Sequence, residues 1–589
     1  MTSTSAAATP LNNNLIPGKD APLESTIARL ESQLKTLGFN VAPKSWLNPV
    51  PHVWSVHLQD LDCPQLFTNG KGSTKEAALA SALGEFFERL SCNYFWADFW
   101  LGPKVSQGEF VHYPEERWFA ADTETLHKDL LDEHCLAIYQ REEALEPARM
   151  VDINSGAINR GICALPFVRQ SDKQPVWFPV NLVGNLFVSN GMAAGNNAYE
   201  AYTQALSEIF ERAIKARILS EGMCPPLIPK EVLARYPKVV TAIKALEAAG
   251  FHVQARDASL GGRFPVINVT LLNPKDGGCF ASFGAHPLFE VALERTLTEL
   301  LQGRALDQLD VFPAPTLDLE QVGEPHNLET HFTDSSGLVS WHLIGDRFDF
   351  PFTDWNFTGN SEEQFNALLG QLHDEGREVY IMDYQHLGVD ACRILVPGFS
   401  EIYPADDLLW DNNNQGIELR DALLELPELD RPDLDEVADM INRSGFGQQH
   451  PVAALIGLVP GGSTFWKELR VGELRAMLCL ALGEQEEALD LIEGLLLFGH
   501  LHERREDHYR CIKSLLEITL SNQLIDHYRT ALNLYFGEEQ VNAGERLING
   551  EDTFEGFAPA PGLDGLEAHE KLIEAYLKVQ KAKQAHSAR

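Results

Sequence analysis

The stretch Gln204-Ala-Leu-Ser-Glu208-Ile-Phe-Glu211-Arg212 has a near-copy earlier in the chain, Ala82-Leu-Gly-Glu85-Phe-Phe-Glu88-Arg89. Aligning Ala82 with Ala205 matches Leu83 to Leu206, Glu85 to Glu208, Phe87 to Phe210, Glu88 to Glu211 and Arg89 to Arg212 without a gap. This is the pattern of an internally duplicated, site-forming helix. Both segments are rich in Ala and Leu, contain no Pro and space their apolar residues at helical intervals. At about 100° per residue, Ser81, Glu85 and Glu88 fall on one narrow stripe. Glu200, Gln204, Glu208 and Glu211 do the same on the second helix, within roughly an 80° arc, with Arg212 at its edge.

A Glu-x-x-Glu-Arg pattern alone is most often the solvated face of a surface helix. Its neighbours here argue otherwise: between Ala77 and Leu90 the only polar side chains are Ser81, Glu85, Glu88 and Arg89. A helix apolar over most of its circumference is buried, so its polar stripe must face a cavity or a partner. Stacked Glu pairs repel by about 0.2–0.5 kcal/mol even when exposed, and burial raises both their pKa values and the cost. Divalent cations supply the compensation, and an all-oxygen, carboxylate-rich set suits Mg2+ rather than zinc. A third helix, spanning 292–302, puts Arg295, Glu299 and Gln302 on one stripe among Leu and Thr. By itself an Arg–Glu pair at i, i+4 is a local ion pair.

At 589 residues the chain is too long for one core and predicts two or three domains. Its 44% hydrophobic and 22% charged residues are those of a soluble globular protein. A formal charge of −38 opposes non-specific binding to nucleic acid or anionic membrane, so an anionic ligand needs metal ions and placed Arg or Lys to enter. Nine cysteines without a Cys-x-x-Cys predict reduced thiols in a cytoplasmic protein, with Cys63, Cys92 and Cys163 as buried structural thiols. No apolar run approaches the 18 or so residues needed to cross a bilayer, and residues 1–14 lack the basic and apolar blocks of a signal peptide.

Along the chain, Pro17-Gly18-Lys19-Asp20 leads into an amphipathic helix with Leu23, Ile27, Leu30, Leu34 and Leu37 on one side, ending near Gly38. Residues 52–58 alternate as a strand, on which His57 is read as structural. Asn69-Gly70-Lys71-Gly72-Ser73 reads as a Gly-rich turn opening the first Glu helix. It is not a P-loop, because Gly72 stands between Lys71 and Ser73. Segments 162–168 and 176–188 read as strands, followed by a Gly- and Asn-rich loop over 189–196 and the second Glu helix. Strands at 264–272 and 279–283 form a hairpin around Asn273–Gly278. A helix and strand pair over 371–396 comes next. Residues from about 404 to 450 read as connector, and helices follow one another from Trp466 onward. Gly483-Glu-Gln-Glu-Glu-Ala488 resembles the junction of a tetratricopeptide helix pair.

Ser81-x3-Glu85-x2-Glu88-Arg89, Glu200-x3-Gln204-x3-Glu208-x2-Glu211-Arg212 and Arg295-x3-Glu299 resemble the three signature segments of the YcaO family, and the similarity runs over residues 17–404. The acidic helical extension makes the chain most similar to the stand-alone proteobacterial members, accessory factors for methylthiolation of a small-subunit ribosomal protein. The resemblance implies an α+β, YcaO-type ATP-binding domain with internal duplication, followed by an all-α tetratricopeptide-like domain. Expected boundaries are a disordered tail over 1–16, the ATP-binding domain over 17–404, a connector over 405–465 and the helical domain over 466–589. It further implies ATP and Mg2+ as cofactors, a ribosomal-protein or methylthiotransferase partner, a homodimer, and no direct contact with nucleic acid or membrane.

In that family, ATP activates a peptide backbone amide. A nucleophile adds to the carbonyl, ATP phosphorylates the oxyanion and phosphate leaves, giving an azoline, thioamide or amidine. Carried onto this chain, Glu85, Glu88, Glu200, Glu208, Glu211 and Glu299 hold Mg2+ against the phosphates. Lys19, Ser81, Asn196, Gln204 and Arg295 contact the nucleotide, and Glu208, Glu211 and Arg295 carry the catalytic roles. Two features depart from the azoline-forming members. The chain ends Gln584-Ala-His-Ser-Ala-Arg589 rather than in a Pro-x-Pro-x-Pro tail, Pro313-Ala-Pro315 being internal. Ala193 also stands where relatives place a Ser in the nucleotide loop. The alternative functional class is a non-catalytic accessory protein with structural ATP that recruits a partner through its C-terminal helices. A ligase of ATP-grasp or glutamine-synthetase type fits the duplicated helices less well.

Overall fold

The computed structural model describes residues 15–587 except 141–144, 154, 156, 310, 404–415, 462, 463, 499, 500, 502, 555, 556, 558–562 and 564. Most of the expected N-terminal tail (1–14) and the expected domain boundary at 404 therefore lie outside the described residues. Helix α1 (Leu23–Leu37) buries Leu23, Leu30 and Leu34. It stops at Gly38, whose φ of +85° lets its N–H return to the Leu34 and Lys35 carbonyls.

Strands β1 (Val41–Val50), β2 (Val53–Asp60) and β3 (Phe67–Gly72) then form an antiparallel sheet in that order. The Gly-rich stretch before the first Glu helix is thus the end of β3 and not a turn. Its glycines serve contact: a Cβ on Gly70 would lie 2.1 Å from Ala78 O, and one on Gly72 would lie 2.7 Å from the Ala77 Cβ. The strand consequently lies directly on helix α2 (Lys75–Ser91).

Strands β4 (Arg117–Phe119), β5 (Ile162–Arg169) and β6 (Pro175–Pro179) begin a second sheet. The strand expected over 176–188 ends early, at Pro179. Helix α3 (Val180–Phe187) replaces the rest, because Leu182, Val183, Leu186 and Phe187 share one helical face and bury it. The loop expected over 189–196 contains strand β7 (Met192–Gly195). Helix α4 (Ala198–Ser220) follows it. Ala193 lies within β7, fully buried and paired with Cys392, so its side chain faces the core and not a loop.

Strands β8 (His252–Asp257), β9 (Val266–Leu272) and β10 (Cys279–Ala285) form a third sheet, β9 and β10 pairing Leu272 with Cys279 as the hairpin reading expects. Helix α5 (Phe289–Leu300) and helix α6 (Ser361–Asp374) come next. Strands β11 (Tyr380–Tyr384) and β12 (Asp390–Leu395) complete the second sheet, ordered β4-β5-β11-β12-β7 with β6 on β5. Every pairing within the three sheets is antiparallel.

The Glu helices lie in the core. Ala205, Leu206, Ile209 and Phe210 of α4 pack among Phe283 of β10, Ile381, Ile394 and Phe365. Phe86, Phe87 and Leu90 of α2 pack among Leu30 and Leu34 of α1. Each buried Phe or Leu contributes about 1.5–3 kcal/mol, several times the repulsion of a stacked Glu pair. The apolar flanks therefore fix the helices and impose their positions on the carboxylates.

The region beyond residue 415 is helical. Within the expected connector the described chain forms α7 (Arg431–Ser444), whose Leu434, Val437 and Ile441 pack with Leu474 and Leu478 of α8 (Val471–Leu482). Its Asp, Asn and Pro residues cap and start helices: Asp430 caps α7 and Pro432 sits in its first turn. Helices α9 (Gln485–Phe498) and α10 (Glu503–Leu520) continue the stack, with shorter helices at Arg529–Phe536 and Glu538–Ile548. No described helix is long and apolar enough to cross a membrane. All nine cysteines are free and buried.

The last helix, α11 (Glu567–Ser587), leaves the stack and returns to the N-terminal core. Leu572, Tyr576 and Val579 pack among Phe86, Trp96, Val105 and Val111. Trp96 Nε1 donates to Leu572 O at 3.0 Å, and the Tyr576 hydroxyl donates to Val111 O. Lys583 Nζ donates to Asn93 Oδ1 at 2.6 Å and to His112 O at 2.8 Å, under the Tyr113 ring. Tyr576→Ala is expected to cost the N-terminal core about 3–5 kcal/mol. The check is the urea midpoint reported by tryptophan fluorescence; an unchanged midpoint would mean that α11 packs there without stabilising anything.

Nearby, His112 Nε2 and Asp152 Oδ2 lie 2.6 Å apart in the interior. Burial opposes both charges, but Asp152 raises the pKa of His112 above 6.5, and His112 with Ser155 lowers that of Asp152 below 3.8. The histidine's share of stability is present below its ordinary value and is lost as pH rises through the raised one; the aspartate's share is lost as pH falls through its depressed value. Asp152→Asn is thus expected to destabilise most near pH 6, with the deficit shrinking in alkaline solution. Denaturant melts at three pH values test this.

Candidate active site

The two copies agree at the level of the backbone. At the offset that aligns Ala82 with Ala205, Gly72 at the end of β3 matches Gly195 at the end of β7, and Thr74 matches Asn197. Each glycine lies against the first turn of its helix: a Cβ on Gly195 would sit 2.7 Å from Ala201 N. Each following residue caps the helix, Thr74 accepting from Ala77 N at 3.1 Å and Asn197 from Glu200 N at 2.9 Å. Strand, glycine, side-chain cap and acidic helix recur as one unit.

α2, α4 and α5 direct their polar stripes into one cavity of about 1910 Å3. Lys19, Ser81, Glu85, Glu88, Asn196, Glu200, Gln204, Glu208, Glu211, Arg295 and Glu299 all line it. Leu15 and Ile16, expected in the tail, line it as well. The cavity's carboxylates meet cations from several elements. Arg89 reaches Glu85 at 3.2 Å and Glu88 at 3.6 Å and lies 4.3 Å from the centre of the Tyr94 ring. Arg212 reaches Glu208 at 2.8 Å, and Lys71, from β3, is paired with Glu299. Arg295 donates to Gln204 Oε1.

The N-terminal segment closes on Glu200, which is itself buried. Lys19 Nζ lies 3.1 Å from Oε1, while Oε2 accepts from Asp20 N at 3.0 Å and from Asn196 Nδ2 at 2.9 Å. Thr26 and Arg29 of α1 donate to Asn196 Oδ1. Gly18 (φ +76°) lies flat on His286, where a Cβ would come within 2.8 Å of the ring. His286 Nδ1 accepts from Leu288 N at 3.0 Å, so in the neutral ring Nε2 carries the proton. Burial, with Arg295 and Lys19 beside it, pulls the His286 pKa well below 6.5 and keeps the ring neutral.

Charge is not balanced throughout. Burial pushes the Glu88 carboxyl well above the usual range; Arg89 opposes the shift, while Glu208 and Glu85 add to it. Burial and Arg295 pull Lys71 down to about 8 against Glu211, Glu85 and Glu208. Burial pulls Lys215 down to about 7 against Glu211 and Asp334, with Arg212 and Lys71 adding to the shift. Among the described residues, Arg295 Nε is buried with no partner. These features fit Mg2+ and a phosphate chain: all-oxygen donors still crowded with negative charge, and an orphaned guanidinium N–H beside them. Glu85, Glu88, Glu208, Glu211 and Glu299 would hold the metal and Arg295 would meet phosphate oxygen, while Glu200, the sixth carboxylate of the expected set, has both oxygens engaged by Lys19, Asp20 N and Asn196.

Among the cavity-lining residues outside the sequence-derived set are Thr26, Arg29, Lys71, Lys215, His286 and Arg304. Lys71 is hidden by the turn reading of β3. Lys215 lies four residues after Glu211, inside the α4 stripe, and that spacing is a signal that could have found it. His286 and Arg304 carry no such signal.

A sequence model described as "YcaO cyclodehydratase, ATP- and Mg2+-binding" matches residues 69–400, and one for the YcaO cyclodehydratase C-terminal domain matches residues 416–585. An Escherichia coli protein named ribosomal protein S12 methylthiotransferase accessory factor YcaO is 51% identical over 587 residues, covering 98% of this chain and 100% of its own. An uncharacterized protein of Haemophilus influenzae is 48% identical over 576 residues, covering 96% of this chain and 98% of its own. Among solved structures, a heterocyclase in complex with substrate and cofactor aligns at TM-score 0.45 and 16% identity, over 65% of this chain and 53% of that one. YcaO from Methanopyrus kandleri, bound with AMPPCP and Mg2+, aligns at TM-score 0.42 and 18% identity, over 64% of this chain and 92% of that one. With both of its family models matched and a full-length relative at this identity, the chain belongs to the ATP- and Mg2+-binding YcaO family.

Proposed function

We propose that this protein activates backbone amides of a protein substrate by ATP-dependent phosphoryl transfer, in support of methylthiolation of a small-subunit ribosomal protein. The observation that carries the proposal is the meeting of three acidic helix faces in one cavity, together with the orphaned Arg295 Nε. Arg295 orients the nucleotide and withdraws charge from its terminal phosphate, with Gln204 holding the guanidinium in place. Lys19 and the 15–22 segment cover the site from the N-terminal side through Glu200. Glu85, Glu88, Glu208, Glu211 and Glu299 would hold Mg2+, which would supply neutralisation of phosphate charge. An amide oxyanion formed by a nucleophile then attacks the terminal phosphorus in line, the P–O bond to ADP breaks with its electron pair leaving on ADP, and phosphate later departs with the former amide oxygen. The Escherichia coli relative's name supports the methylthiolation context and its partner. The nine buried free thiols support a cytoplasmic setting, and family likeness supports a homodimer.

Glu208→Gln, which keeps shape and removes charge, is expected to lower Mg2+-dependent ATP turnover by at least about 100-fold. Product analysis for ADP or AMP on wild type and variant tests this; equal turnover by the two would rule out the catalytic reading.

A second reading, recruitment of a partner by the helical region, is favoured by exposed apolar side chains there: Leu497 is 82% exposed, and Leu534 and Tyr535 are each 84% exposed. Since α11 is built into the N-terminal core, truncation would confound the test, and surface variants suit it better. Leu534→Asp with Tyr535→Ser is expected to weaken capture of the methylthiotransferase or ribosomal-protein partner at least tenfold while leaving ATP turnover unchanged. Undiminished capture, measured by biolayer interferometry, would remove this surface from the reading.

A further inference from the structure

Lys215 continues the acidic stripe of α4 one turn beyond Glu211 and lines the same cavity. Only 8% of the residue is exposed. Its Nζ donates to His331 O at 2.6 Å and to Ser335 Oγ at 2.8 Å, both neutral acceptors. No carboxylate among the described residues lies within ion-pair distance of it. An ammonium has three N–H donors, so one remains for the cavity. Buried charge held only by neutral oxygens is costly until a counter-charge arrives.

The surroundings are built, and they carry charges of both signs. Ser335 has φ +63°, and a Cβ on Gly337 would lie 2.5 Å from the His331 ring. Asn327 receives Leu338 N at 2.7 Å, which fixes the turn. Arg212, paired with Glu208, lies over the Phe332 ring at 4.3 Å, and Arg304 donates to Asp334 O at 3.0 Å and lies 3.6 Å from its carboxylate. His331 Nε2 lies 3.0 Å from Leu338 O, which can only accept, and its Nδ1 is buried without a partner among the described residues. At about 1910 Å3 the cavity exceeds the ~300–1,000 Å3 of an ordinary ligand site, so it has room beyond a nucleotide.

We propose that the end of the cavity beyond Glu211 is an anion subsite in which Lys215, with Arg212 and Arg304 nearby, receives a phosphoryl group. The group is either the terminal phosphate of the nucleotide or the phosphate carried and released by the acceptor. The inference rests on the ATP-site reading above and adds to it a place for the transferred group.

The test titrates inorganic phosphate into the full-length protein with Mg2+ and ADP, reading 31P line broadening, and measures ADP affinity on the same samples. Wild type is expected to bind phosphate, and Lys215→Gln at least tenfold more weakly, with ADP affinity changed less than twofold. Ser335→Ala, which removes one neutral tether and keeps the charge, is expected to stay within twofold of wild type. Exclusion of phosphate by a non-hydrolysable triphosphate analogue assigns the subsite to the nucleotide's terminal phosphate. Simultaneous binding assigns it to the acceptor's phosphate. Phosphate affinity indifferent to Lys215→Gln, or lowered equally by Ser335→Ala, overturns the proposal while ADP binding still stands. Absence of ADP binding would overturn the ATP-site reading as well.

Discussion

Six carboxylates on three largely buried helices must be neutralised where they stand, and much of this fold follows from that constraint. Helix packing fixes Glu85, Glu88, Glu200, Glu208, Glu211 and Glu299 around one cavity regardless of their repulsion. Cations drawn from a strand, from the helices themselves and from the N-terminal segment partly answer it. The remainder adds to burial, the larger cause, in holding the pKa of Glu88 above the usual carboxylate range. A site held in this state is poised for divalent cation, since the metal replaces repulsion that folding has already imposed.

The duplication supplies the frame, and divergence of the copies supplies the chemistry. Gly72 and Gly195, Thr74 and Asn197, and the paired Glu residues keep strand and helix in one geometry. At the same offset, Lys71 stands against Ala194, Ala77 against Glu200 and Cys92 against Lys215. The first copy thus contributes its extra cation from the strand. The second contributes a latch for the N-terminal segment at one end of its stripe and a lysine at the other. Related backbones can in this way surround one ligand asymmetrically.

The helical C-terminal region is tied to this site through α11. Lys583 holds Asn93, just beyond the end of α2, and Arg89 of α2 lies over Tyr94. The last helix thereby supports the end of a carboxylate-bearing helix by buried contact. Desolvation pulls the Lys583 pKa well below its ordinary value, so its ammonium depends on those hydrogen bonds and on the Tyr113 ring for its place.

Helical spacing and apolar flanks made the three acidic stripes, their burial and their fit to Mg2+ legible in the sequence, because a helix face is set by neighbours three and four residues apart. Local rules failed where the decisive contact was distant. Gly70-Lys71-Gly72 read as a turn because nothing nearby in sequence shows that α2 lies on it. Val41–Val50, interrupted by Pro43 and Pro49, shows no strand pattern, and pairing with β2 makes it one. Asp and Pro after residue 415 read as connector, although there they start helices. The sequence by itself determined which faces are acidic, which are buried and to which family the motifs point. Only the tertiary structure decided that the three faces meet, which cations answer them, and that α11 returns to the first core. Those outcomes depend on packing between segments hundreds of residues apart, which leaves no periodicity in the chain.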